Sequence, residues 1–159
     1  MQLPERVTIC EVGPRDGLQN EARNVPTPDK IRLIEALADA GIQRMEATSF
    51  VAPKWIPNLA DAGEVLGGIR RRPGVSYAAL VPNLNGLERA LAARVDEAVI
   101  FLSASESHSR KNINRGIAEA LETYREVAGA VEQAGLRLKA AISTSFGCPY
   151  EGDVDLLTV

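Results

Sequence analysis

The chain has 159 residues, 45% of them hydrophobic and 25% charged, with a formal net charge of −3. That is enough chain for one ordinary domain with a sizeable core, and the composition excludes a disordered or membrane-embedded polypeptide. The slight acidic balance marks no nucleic-acid binder.

No apolar run reaches the roughly 18 residues that a membrane helix needs. Residues 1–6 show neither a signal-peptide core nor an Arg/Ser-rich transit pattern. A cytoplasmic protein with no nucleic-acid partner and no membrane partner is therefore expected. The two cysteines, Cys10 and Cys148, lie far apart and argue against a disulfide framework. Arg70, Arg71 and Arg72 read as a solvated helix end favoured by the dipole.

In chain order, residues 7–12 read as a strand rich in β-branched side chains. A helix opens at Thr27, with Thr27 as N-cap and Pro28 at the first helical position. Its apolar stripe is Ile31, Ile34, Leu37 and Ala38, and Gly41 closes it. Residues 44–49 form a second strand and 58–69 a helix. Residues 75–81 form a third strand and 85–94 the next helix. Residues 97–102 form a fourth strand, 113–134 a long helix ended by Gly135, and 137–144 a fifth strand. Residues 153–157 read as the start of one more helix.

Strands alternating with helices imply parallel βαβ units. An open doubly wound sheet and a closed barrel both satisfy that rhythm. The turn after the first strand, residues 13–17, lacks the glycine pattern of dinucleotide binding. Polar residues follow several strands, among them Arg15, Asp16, Ser49, Asn83, Ser103, Ser105, Ser143 and Ser145, and a barrel gathers such ends at one face. The expected fold class is α/β: a partial (β/α)8 TIM barrel of about five parallel strands with four to five helices. A whole barrel needs about 250 residues, so 1–159 reads as a truncated, N-terminal half.

The chemistry concentrates in residues 11–21, EVGPRDGLQNE. A strand delivers a carboxylate, Gly-Pro follows, then an adjacent Arg15–Asp16 pair and a turn glycine. A carboxylate suits a hard divalent cation, and a guanidinium suits a developing enolate oxygen. A structural turn with an exposed ion pair explains the same residues, and spacing alone does not separate the two readings.

The same string closely resembles the signature of hydroxymethylglutaryl-CoA lyases, within a wider metal-dependent barrel family that includes isopropylmalate synthases. Further strings agree with it: residues 42–58, 80–90, 99–114 and GCPYEG at 147–152. The resemblance implies a carbon–carbon lyase that cleaves 3-hydroxy-3-methylglutaryl-CoA to acetoacetate and acetyl-CoA. It implies Arg15 as the catalytic arginine, Glu46 as an active-site carboxylate supporting it, and Asp16 as a ligand of Mg²⁺ or Mn²⁺. It places Gln19, Ser49 and Asn112 with Arg15 along the substrate pocket. It also implies an acyl-CoA substrate and a homo-oligomer. Lys54 and Lys111 either meet coenzyme A phosphates or are solvated loop lysines.

The family's His-x-His metal ligands, a late asparagine and a catalytic-loop cysteine have no match in residues 1–159. His108, the single histidine, reads as exposed or supporting, and Cys148 as structural. Little or no lyase activity is expected of this chain alone. A Claisen-condensing enzyme of the same barrel family and a non-catalytic, self-associating half-barrel are the rival expectations.

Overall fold

The computed structural model describes residues 3–159. Four parallel strands are arranged in sequential order: β1 (Arg44–Ser49), β2 (Ser76–Leu80), β3 (Glu97–Ser103) and β4 (Arg137–Ser143). Five α-helices accompany them: α1 (Thr27–Asp39), α2 (Ala62–Gly68), α3 (Leu84–Ala92), α4 (Glu106–Ile113) and α5 (Ile117–Gln133).

The core lies between sheet and helices. Alternate strand residues, Met45 and Ala47, Tyr77 and Ala79, Ala98 and Ile100, pack against Ile34, Val65, Leu87, Tyr124, Val127 and Val131. The α5 residues Ala120, Tyr124, Val127 and Val131 recur at spacings of four and three, the stripe that a helix buries on a sheet. Both faces of β1–β3 are largely covered, so these strands read as nearly continuous buried runs.

The opposite set of strand residues, Glu46, Glu97 and Lys139 among them, faces the other way. In a flat sheet β1 and β4 would stand about 14 Å apart, three strand spacings. Yet Lys139 of β4 reaches Glu46 of β1 at 2.9 Å, and Arg44 of β1 reaches Glu97 of β3 at 2.9 Å. The sheet is therefore curled with these side chains on its concave face, the arrangement of a partial barrel. A register shift between Glu46 and Thr48 puts one extra β1 residue against β2 beside Glu46.

Several sequence expectations need correction. Residues 7–12 do not form a strand. Only Glu11 bridges Met45, giving its N–H to the Arg44 carbonyl and accepting from the Glu46 N–H. Val7 and Ile9 are 77% and 69% exposed, since no strand among the described residues lies on their other side. Among the described residues the strand count is four, not five. Pro26, not Thr27, precedes α1. Thr27 is itself the first helical residue, and its hydroxyl donates to Asp61 Oδ2 at 2.6 Å.

The long helix expected over 113–134 starts later, at Ile117, and a separate helix, α4, occupies residues 106–113, where a loop was expected. Asn114 takes a left-handed conformation (φ 54°) and ends α4, and α5 starts after Gly116. Ser105 Oγ caps α4 by accepting from the His108 N–H at 3.1 Å. Residues 58–69 begin with a 3-10 turn, Pro57–Leu59, before α2. Near the C-terminus a 3-10 turn over Leu156–Thr158 stands where a further helix was expected.

Candidate active site

Residues Gly13–Gly17 form one tight π-helical turn just beyond the Glu11 bridge. The Arg15 and Asp16 N–H groups both donate to the Val12 carbonyl, at 3.1 and 2.7 Å. Glu11 Oε1 accepts from the Gly13 N–H at 2.6 Å, and a Cβ at position 13 would lie 2.9 Å from that oxygen. Glu11 is thus committed to shaping the turn, and Gly13 permits the close approach. The turn sends its two charged side chains in different directions. Arg15 points inward with its side chain 18% exposed, while Asp16 sits at the rim, 54% exposed.

Arg15 meets Glu46 side-on. Its Nε and Nη2 both reach Glu46 Oε2, at 2.8 and 2.6 Å, and its Nη1 holds Asp16 Oδ1 at 2.7 Å. The second Glu46 oxygen, Oε1, accepts from Lys139 Nζ at 2.9 Å. Lys139 Nζ also lies 3.8 Å from Cys10 Sγ. Burial pushes the Glu46 carboxyl up, but its hydrogen bonds and charge pairing with Lys139 and Arg15 outweigh that and leave it below its ordinary value. Burial likewise depresses the Lys139 ammonium, and Glu46 more than offsets it, so Lys139 stays charged above its ordinary value.

The structure therefore brings Arg15, Asp16 and Glu46 together. It does not link the other expected residues to them by hydrogen bonds. Ser49 is buried at the end of β1, its hydroxyl accepting from the Val51 N–H at 3.3 Å. Gln19 is half-buried, and its backbone carbonyl lies 3.3 Å from Asn58 Nδ2. Asn112 is exposed in the last turn of α4. Lys54 stacks over Trp55 at 5.3 Å, and Lys111 over Tyr150 at 3.7 Å, so each lysine rests against an aromatic ring.

The Asn58 amide spans the carbonyls of Leu18, Gln19 and Glu21 at 2.8–3.3 Å, tethering the segment that follows the turn. Lys30, 3% exposed, donates to the Asn58 carbonyl at 2.5 Å and to Asp61 at 2.7 Å, anchoring that tether to α1.

A second polar cluster lies beyond the ends of β3 and β4. His108 Nδ1 is 3.1 Å from Ser103 Oγ, which is 2.9 Å from Thr144 Oγ1. His108 is half-buried and stacks with Tyr150. Cys148 is buried with Sγ 2.9 Å from Ser105 Oγ. Burial raises its thiol, and hydrogen bonds from Ser105 and the Tyr150 and Glu151 backbone bring it below its ordinary value.

Among the described residues, no group of three or more His, Cys, Asp or Glu side chains could hold a metal ion. Glu11 and Glu46 are engaged elsewhere, and Asp16 at the rim, with Oδ1 on Arg15, is the carboxylate with one oxygen left to face a cation. One carboxylate does not satisfy the near-octahedral oxygen shell of Mg²⁺, so these residues do not by themselves make a metal site.

Lys139 is the member of the network that sequence reasoning missed. Arg137 and Lys139 share one face of β4, two residues apart, and a cation on the concave parity of a barrel strand was the available signal.

Comparison with known proteins agrees with this architecture. The HMGL-like family model matches residues 6–159. A 3-hydroxy-3-isohexenylglutaryl-CoA/hydroxymethylglutaryl-CoA lyase of Pseudomonas aeruginosa is 51% identical over 98% of this chain and 52% of its own length. The mitochondrial hydroxymethylglutaryl-CoA lyase of Gallus gallus is 51% identical over 99% and 53%. The crystal structure of the Bacillus subtilis HMG-CoA lyase superposes with a TM-score of 0.96 at 52% identity, covering 99% of this chain and 53% of that one. A lyase from Acinetobacter baumannii, solved with coenzyme A and 3-methylmalate, superposes with a TM-score of 0.91 at 41% identity, over 95% and 49%. The chain thus spans about half the length of the relatives it matches.

Proposed function

The chain belongs to the HMGL-like family, and on that premise we propose that residues 1–159 are the N-terminal half of a TIM-barrel lyase domain. The proposed reaction is cleavage of 3-hydroxy-3-methylglutaryl-CoA to acetoacetate and acetyl-CoA. The observation that supports it best is Arg15, held side-on by Glu46 with Nη1 presented at the Asp16 rim.

In this reading Arg15 is the catalytic group. Cleavage of the carbon–carbon bond leaves negative charge on the acetyl-CoA enolate oxygen, and a pre-aimed guanidinium stabilises it as it develops. Glu46 keeps the guanidinium oriented, so no reorganisation is needed when the charge appears. Gln19, Ser49 and Asn112 are proposed to line the substrate pocket. A divalent cation, Mg²⁺ or Mn²⁺, belongs to the proposal as a Lewis acid, with Asp16 as its one ligand from these residues. An acyl-CoA of leucine degradation is the proposed substrate, and a cytoplasmic setting is proposed, although relatives include mitochondrial enzymes. Among the described residues no helix is long and apolar enough to cross a membrane.

With one carboxylate for the metal, the chain alone is expected to show little or no turnover. The test is therefore binding as well as cleavage. 3-Hydroxy-3-methylglutaryl-CoA should perturb the Arg15 side-chain resonance of the wild type and not bind Arg15→Gln comparably. A response to 2-oxo acids and none to the glutaryl thioester would favour the Claisen-condensing reading and overturn this one.

Self-association is proposed as well. Leu138 and Ile142, on the helix-facing side of β4, are 37% and 45% exposed, and Phe146 beyond them is 99% exposed. Sedimentation that finds only monomer at high concentration would remove this part of the proposal.

A further inference from the structure

Lys139 sits on β4, and nothing in the reading of the sequence gave it a task. Its side chain crosses the concave face to β1 and occupies one oxygen of the buried Glu46, 3% exposed. Arg15 occupies the other oxygen with two of its nitrogens. The pattern is unusual in one respect. An arginine beside a free carboxylate normally takes both oxygens in parallel, a two-bond fork. Here both Arg15 bonds converge on Oε2, while Oε1 accepts from Lys139 at 2.9 Å, a contact that fixes the plane of the carboxylate.

The consequence concerns the other edge of the guanidinium. Restricted to Oε2, Arg15 meets the carboxylate through Nε and Nη2 and turns Nη1 toward Asp16 at 2.7 Å. Were Oε1 vacated, nothing would fix the plane of the carboxylate, and the bonds from Nε and Nη2 to Oε2 would weaken as it turned. The guanidinium would turn with it, and Nη1 would leave the rim. Charge favours the observed arrangement too: Arg15 and Lys139 together balance Glu46 and Asp16, so the four groups are neutral as a set.

We propose that Lys139 is a positioning residue for Arg15, fixing its side-on engagement with Glu46 from the far edge of the sheet. Lys139 acts through Glu46 and touches no reacting atom. The inference rests on the reading of Arg15 as the catalytic arginine, but its test does not require turnover.

The experiment uses the whole chain and follows the Arg15 Nε–H resonance by nitrogen NMR, assigned with Arg15→Lys. In the wild type this proton should exchange slowly. Lys139→Met should speed its exchange by about tenfold, as expected when a hydrogen bond to a charged group is weakened. Lys139→Arg, which returns a cation to the same oxygen, should restore it to within about twofold, which a mere loss of packing would not do. Unchanged exchange in a folded Lys139→Met overturns the proposal, and so does failure of the arginine variant to restore it. Should the methionine variant not fold, the wild-type Lys139 ammonium decides. A slowly exchanging resonance supports the proposal, and a freely exchanging ammonium sinks it. Loss of the lyase reading would leave all these signals where they are, so the two failures are distinguishable.

Discussion

Replacing Glu46 by glutamine separates a buried ionic network from a decorative one. The amide keeps the shape and removes the charge, leaving Arg15 and Lys139 facing a neutral group. Removing one partner of a fully buried pair costs about 3–5 kcal/mol, because the other charge is stranded. The cost here falls below that range. Arg15 keeps Asp16, and the Lys139 side chain is 33% exposed and can turn toward water. About 2–3 kcal/mol is therefore expected. With a slope near ~2 kcal/mol/M, that lowers the urea midpoint by about 1 M. The internal control is Glu122→Gln, which breaks the Glu122–Arg125 pair on α5, where both side chains are 72% exposed. Its cost should stay within about 0.5 kcal/mol.

The pH dependence follows from the sign of the shift. Glu46 is held below its ordinary value of 4.5, so its contribution is full above pH 4.5 and drains away as pH falls through the lower, folded value. The wild type should keep its advantage over Glu46→Gln down to pH 4.5 and lose it below. If Glu46→Gln moves the midpoint no further than Glu122→Gln at neutral pH, the network does not hold the turn to the sheet, and the reasoning fails.

The alkaline limb should show the converse. Lys139 is raised above its ordinary 10.5, so its contribution is full below pH 10.5 and is lost only as pH rises through the folded value. The midpoint gap between wild type and Lys139→Met should be flat from neutral to that point. Lys30→Met removes the buried ammonium that joins Asp61 to the Asn58 carbonyl, and should cost about 3 kcal/mol in the same urea assay. Gly86→Ala should cost about 1–3 kcal/mol, since its Cβ would lie 2.7 Å from Pro82 Cδ and 3.1 Å from the Phe50 carbonyl oxygen. Mn²⁺ titrated into the chain should bind no tighter than about 1 mM, and Asp16→Asn should weaken even that. Micromolar binding followed by paramagnetic broadening would show ligands that the described residues do not account for.

Much of the architecture was legible because its signals are local. The α1 stripe of Ile31, Ile34, Leu37 and Ala38 is an intrahelical period, and it packs as the spacing implies. The strand–helix alternation gave the parallel order, and the adjacent Arg15 and Asp16 marked the turn. What failed depends on neighbours distant in sequence. Residues 7–12 have good strand composition, but a strand forms only where another chain segment accepts its hydrogen bonds, and here only Glu11 finds one. Thr27 suits an N-cap in isolation, yet Asp61, 34 residues away, takes its hydroxyl. Helix α4 was hidden because Ser105, Glu106 and Gly116, which cap the two helices on either side of Asn114, look like loop residues until both helices are seen.

The two ionic pairs on the concave face explain how the sheet specifies its own curvature. Arg44–Glu97 joins β1 to β3, and Glu46–Lys139 joins β1 to β4 one layer further along the strands. Glu46–Lys139 spans three strand spacings, farther than its side chains reach across a flat sheet, and Arg44–Glu97 adds a second tie over two spacings on the same face. Their net stabilisation is modest, because desolvation cancels much of the attraction, and Arg44 Nε is buried with no hydrogen-bond partner at all. Apolar side chains at these positions would favour burial at any curvature. Oppositely charged groups three strands apart, Glu46 and Lys139, favour the curled arrangement, and that same curl is what carries Lys139 to Glu46 beside Arg15.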